Sequence, residues 1–218
     1  MNKISMNNNV HKIIIDKHDV NLEIKKDTEI IIFNNQIKSL NFKIMPNVKL
    51  LVNDFRIIKE EQTKINISLF DNSAVTYNHA FINHGLYELD IKLDMAGNDS
   101  NLLLNIHGLT DNGQTNINID GVIGKTNFNN KFLEKVRLIN INQGKAKCVP
   151  NILIANSKVV ANHEVTMGKI SEFELEYLMS KGISLKLAKT LILNGFLINA
   201  INNKELIIKT KEILNKEV

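Results

Sequence analysis

From about Val10 to Glu164, apolar residues recur at every second position in short runs closed by Asn, Asp or Gly. Ile65, Ile67 and Leu69 share one face of "KINISLFDN", and Leu89, Ile91, Leu93 and Met95 share one face of "LYELDIKLDMAGN". A period of two is that of a β-strand, whose successive side chains point to opposite faces. The alternation returns in "NLLLNIHGL", "TNINIDGVIG", "RLININQG" and "NILIANSKVVAN", always with turn-forming residues between. Many short strands of this kind predict an all-β sandwich, a barrel or a solenoid. The links bear on the choice. Only "DNG" at Asp111 to Gly113 comes close to a hairpin turn, and most links are single Asn, Asp or Lys corners. Such corners suit a β-helix, whose coils turn without reversing direction. No constant repeat period aligns the coils.

After Lys169 the period changes. Ser171 followed by Glu174 reads as a capping box, and "EFELEYLMSKG" carries Phe173, Leu175, Leu178 and Met179 at helical spacing before Gly182. Ser184 opens a second helical segment with Leu187, Leu191 and Ile192, for which Gly195 is the expected stop. A third begins near Asn203, with Ile207, Ile208 and Leu214 as its apolar stripe. The plan is therefore a β body followed by helices.

Composition removes several classes of function. The chain has 218 residues, 44% of them hydrophobic and 23% charged, which are the proportions of a folded globular protein with a sizeable core. The net charge of +4 comes from scattered Lys, with no Trp and no basic stripe interleaved with aromatics, so nucleic-acid binding is not expected. A single Cys, Cys148, excludes an internal disulfide and a zinc site built from several thiolates of one chain. The segment "MNKISMNNNVHKIIID" has no apolar signal core, and no stretch reaches the ~18 apolar residues of a membrane span, which predicts a cytoplasmic protein with no membrane partner.

One stretch carries a specific resemblance. "KCVPNILIANSKVVANHEVTMGKISEFELEYLMSKGISLKLAKTLILNGF", Lys147 to Phe196, resembles the C-terminal part of the SufB/SufD family of iron–sulfur cluster assembly scaffolds. The matching residues are His163-Glu164-Val165-Thr166, Gly168, Ile170, Leu175-Glu176-Tyr177-Leu178, Ser180-Lys181-Gly182-Ile183 and Asn194-Gly195-Phe196, with Pro150 ahead of His163. The resemblance implies a right-handed parallel β-helix over residues 1–170 and a small α-helical segment over 171–218. It implies a non-catalytic scaffold that docks a SufC-like ABC ATPase through its C-terminal helices, with Tyr177, Leu178, Ile183 and Phe196 as docking residues. No "GxxxxGK[ST]" loop is present, so nucleotide hydrolysis would belong to that partner. Two departures stand beside the match. The chain is about half the length of a family member, and the Cys that SufB-type scaffolds place ahead of this His falls here on Lys135.

Iron–sulfur clusters are held by four thiolates with His as an occasional substitute, and one thiol cannot hold one alone. No tightly bound cofactor is expected; a transient iron ion or iron–sulfur cluster would sit at an interface with an identical chain or a SufB-like partner. His163, Glu164 and Cys148 are the candidate ligands. In a strand His163 shares the apolar face of Val159, Ala161 and Val165, and Glu164 points to the other face. His79, His84 and His107 show no spacing of a metal site and read as surface or core residues. Two other readings fit the same sequence: a structural β-helix paralogue that only assembles with other chains, and a polysaccharide-acting β-helix enzyme. The enzyme would need placed carboxylates and aromatic platforms, whereas the Asp residues here sit singly at corners and Trp is absent.

Overall fold

The computed structural model describes residues 4–7 and 10–217. It is a parallel β-solenoid of about five turns with three short helices at its C-terminal end. Two parallel stacks form its walls. The first runs β2 (Val10–Ile15), β4 (Thr28–Phe33), the first half of β6 (Lys49–Leu69), the first half of β7 (Ala74–Met95), β8 (Asn101–Asp111), β10 (Asn130–Ile141) and β12 (Val159–Gly168). The second runs β3 (Asp19–Ile24), β5 (Ser39–Ile44), the second halves of β6 and β7, β9 (Gln114–Ile123) and β11 (Lys145–Ile154). β1 (Ile4–Asn7) adds antiparallel to the free edge of β2.

The coils widen along the chain. His11 pairs with Thr28, Lys49 with Ala74, and Asn101 with Lys131, which are steps of 17, 25 and 30 residues. A lengthening coil explains why no constant repeat is visible in the sequence. The corners account for the Asn content. Asn34, Asn47, Asn72, Asn112, Asn129 and Asn142 all have positive φ, a left-handed conformation that Asn tolerates better than most residues. β6 and β7 pass through the bend between the stacks, where their register shifts between Ile58 and Glu60. Gly85 lies at that bend because a Cβ there would come 1.7 Å from the Lys59 carbonyl oxygen. "DNG" is a corner too: β8 and β9 join different stacks and do not pair with each other.

Alternate residues of both stacks fill the interior, as the period of two requires. The main core runs from Ile15 to Leu138 and includes Ile65, Ile67, Leu69, Leu89, Ile91, Leu93 and Met95. The outer face of the first stack is also apolar, at Ile31, Phe55, Ala80, Ile82 and Leu109, and the helices cover it. α2 (Leu185–Ile198) seats Leu193 and Leu197 there, and α3 (Lys204–Glu217) seats Leu206 and Leu214. Two sequence expectations change in this region. α2 runs through Gly195 to Ile198, and its buried residues are Ala188, Leu193 and Leu197 while Leu187 and Leu191 stay exposed. In α3 Leu214 is buried and Ile207 half-buried as expected, but Leu206 joins them and Ile208 faces out. α1 (Glu172–Ser180) buries none of its residues; Ser171 caps it by accepting from the Glu174 N–H. Among the described residues no helix is long and apolar enough to cross a membrane.

Candidate functional site

The C-terminal end of the solenoid carries the candidate ligands. Among the described residues β12 pairs only with β10 and β11 only with β9, so each leaves one strand edge open. On β10 the inward positions are Phe132, Glu134, Val136 and Leu138; a carboxylate thus occupies a position the alternation reserves for an apolar side chain. Glu134 is 1% exposed, and neither carboxylate oxygen has a hydrogen-bond partner among the described residues. Burial pushes its carboxyl up to about 7, because the ionised form loses hydration that nothing replaces.

Cys148 lies on the inner side of β11, half-buried against the same core as its neighbours Ala146 and Ile152. Burial first, and then the charge of Glu134, push its thiol up to about 12. It is therefore a protonated thiol near neutral pH, whereas the thiolate is the form that binds metal. His163 stands opposite Glu134 in the β10–β12 register. Val159, Ala161 and Val165 pack on the core as the alternation predicts, yet His163 is exposed at the uncovered end. Glu164 takes the other face, where Arg137 approaches it at 3.2 Å and Lys135 is its register partner. The fold thus places Glu134, Cys148 and His163 on the inner side of one end and keeps Glu164 and Lys135 apart from them. Among the described residues no three His, Cys, Asp or Glu side chains are grouped to hold a metal ion. One protonated thiol and one exposed imidazole do not form a cluster site within a single chain.

The docking candidates divide as well. Tyr177 is 56% exposed with Lys181 above its ring, and Phe173 beside it is 79% exposed. Leu178 and Ile183 are half-buried. Phe196 faces inward, stacked on His107 of β8. Phe196 therefore holds α2 to the solenoid.

A second polar group was not legible in the sequence. Asp54 and Arg56, on inward positions of β6, are fully buried beside Glu61, Thr63, Tyr77, His79 and Tyr87. Arg56 donates to Asp54 at 3.1 Å, to Thr63 at 3.1 Å, to Tyr87 at 2.9 Å and to Glu61. His79 Nδ1 lies 3.1 Å from Asp54 Oδ2. Burial alone would raise the Asp54 carboxyl, but the Arg56 charge, with hydrogen bonds from His79 and Tyr77, outweighs it and holds it below the usual range. Burial lowers His79, leaving a neutral imidazole. Every member has a partner, so the group reads as a satisfied plug of the bend. The available signal was a pair of charges, Asp54 and Arg56, at alternate places in an apolar run.

Residues 126–196 match the family model described as SUF system FeS cluster assembly, SufBD core domain. The matched stretch contains β10, β11, β12, α1 and most of α2, and with them Glu134, Cys148, His163 and the four docking candidates. The match supports membership of the SufB/SufD family and involvement in FeS cluster assembly by the SUF system. No curated protein matches the chain.

Proposed function

We propose, on the premise that this chain is a SufB/SufD protein, that it is a non-catalytic scaffold subunit of a Suf-type assembly complex. In this reading a SufC-like ABC ATPase docks on the C-terminal helices, and the chain pairs through its last coil with an identical copy or a SufB-like partner. A transient iron ion or iron–sulfur cluster is cargo at that pairing surface, not a resident group.

The observation that carries the reading is the number of large apolar side chains left exposed on α1 and early α2. Phe173, Tyr177, Met179, Leu185, Leu187 and Leu191 are all exposed, although Ala188, Leu193 and Leu197 of α2 are seated on the solenoid. Large apolar side chains left exposed in this number on two consecutive helices favour a protein-binding surface. Phe173 and Tyr177, one turn apart on α1, are of the aromatic type that usually carries binding energy. The test is co-purification with the SufC-like ATPase of the same host. Phe173→Ala together with Tyr177→Ala should abolish it while circular dichroism and thermal unfolding stay those of wild type, because neither side chain is buried. Retained binding by the folded double variant would overturn the docking assignment.

A further inference from the structure

A cleft of about 490 Å³ opens between the outer face of the first stack and the helices, and the scaffold reading assigns nothing to it. Its floor is apolar, made by Ile82 of β7, Leu109 of β8 and Leu193 of α2. Its rim carries Lys169, from the connection after β12, and Lys186 and Lys189 of α2. The last two, three residues apart, share one helix face. No ion pair engages any of the three among the described residues. Two carboxylates also line the cleft. Asp111 is answered by His84 at 3.5 Å and by the Asn142 amide, while Glu172 lies in the first turn of α1, where the helix dipole favours a negative charge. Three ammonium groups therefore stand against two carboxylates, which leaves an excess of cation on the rim. The carboxamide oxygen of Asn140, also on the lining, is buried without a hydrogen-bond partner.

We propose that this cleft binds a phosphate monoester with an apolar or planar body, its phosphate held by Lys169, Lys186 and Lys189 and its body laid on Ile82, Leu109 and Leu193. The volume is that of a small-ligand site. The three ammonium donors suit a phosphate, whose several oxygens can accept from all of them, better than a single carboxylate. The proposal stands on the cleft alone and does not depend on the ATPase or the pairing partner.

Calorimetric titration of the purified chain at low salt with AMP, hexyl phosphate, inorganic phosphate and adenosine tests it. At least one of the two monoesters should bind saturably, and inorganic phosphate and adenosine about tenfold more weakly or not at all. Tighter binding of AMP assigns a nucleotide, and tighter binding of hexyl phosphate assigns a lipid-like phosphate. Lys186→Gln with Lys189→Gln should weaken the bound monoester about tenfold, the scale expected for losing two partly exposed charge contacts. Lys204→Gln with Lys211→Gln, on α3 and outside the cleft, should leave it unchanged. If the first pair fails to fold, Lys169→Gln carries the same test from outside the helices. Absence of saturable binding by either monoester, or equal losses in the cleft and control variants, overturns the proposal.

Discussion

His107 and Phe196 stack with ring centroids 4.7 Å apart and planes 13° from parallel, and His107 Nδ1 donates to the Phe196 carbonyl oxygen at 2.6 Å. β8 and α2 are separated by 89 residues at this contact, so one pair ties the helices to the outer wall. Burial lowers the His107 pKa more than the Phe196 carbonyl raises it, and Arg137 adds to the lowering. A depressed imidazole stabilises the fold above its ordinary value of 6.5, and that contribution is lost as pH falls below it.

His107→Ala should loosen α2 without disturbing the coils. Loss of the stack and the hydrogen bond is expected to weaken helix docking by about 2 kcal/mol. Hydrogen exchange should show faster α2 amides with β8 and β9 amides unchanged, and wild type should show a milder form of the same pattern on acidification below pH 6.5. Uniform acceleration across the chain would contradict a local tether.

The buried group around Arg56 leads to a larger effect. Arg56→Met leaves Asp54 and Glu61 in the interior with their counter-charge gone, and breaking a buried pair by one partner costs about 3–5 kcal/mol. Urea unfolding should register a lower midpoint with an unchanged slope. A loss below about 1 kcal/mol would mean that water reaches the bend and solvates the carboxylates.

Glu134 predicts a pH dependence of the opposite sign to that of His107. Its carboxyl is raised from 4.5 to about 7, so the folded chain holds a proton that the unfolded chain releases. The corresponding stability is full below pH 4.5, is lost as pH rises through 7, and is of order 3 kcal/mol. Glu134→Gln should flatten the decline between pH 5 and 8 and make the variant the more stable protein at pH 8. Parallel pH profiles for wild type and variant would show that the carboxyl is solvated.

The solenoid was legible because alternation is imposed locally: inward residues such as Ile65, Ile67, Leu89 and Ile91 meet the same core whatever the coil length. The helix ends were less legible. Gly195 costs only about 1 kcal/mol within a helix, and burial of Leu193 and Leu197 on either side of it overrides the stop signal. The resemblance drew attention to His163, Glu164 and Cys148, but not to Glu134, which reads as one charge in an apolar alternation. Its lack of partners emerges only when β10 and β11 close the interior around it. Arg56 was hidden for a related reason, since Tyr87 lies 31 residues away and reaches it only through coil stacking.

The open end predicts pairing between chains. β11 and β12 each leave one edge without a strand partner among the described residues, and Leu153, Val160 and Met167 are exposed nearby at 64%, 57% and 48%. Open strand edges beside apolar side chains favour association, and a two-fold pair buries the same patch twice. Light scattering should therefore report a dimer, and Leu153→Lys should shift it to monomer by placing a charge in the seam. Pairing would bring two His163 imidazoles to one surface, and the two Cys148 thiols could join them only where a metal displaces their protons. Iron titration of the dimer should show weak binding, reduced about tenfold by His163→Ala with the dimer intact, because an exposed imidazole contributes a ligand and little packing. A monomer at all concentrations would sink the pairing. A dimer whose iron binding ignores His163→Ala would return His163 to the role of a solvent-exposed side chain.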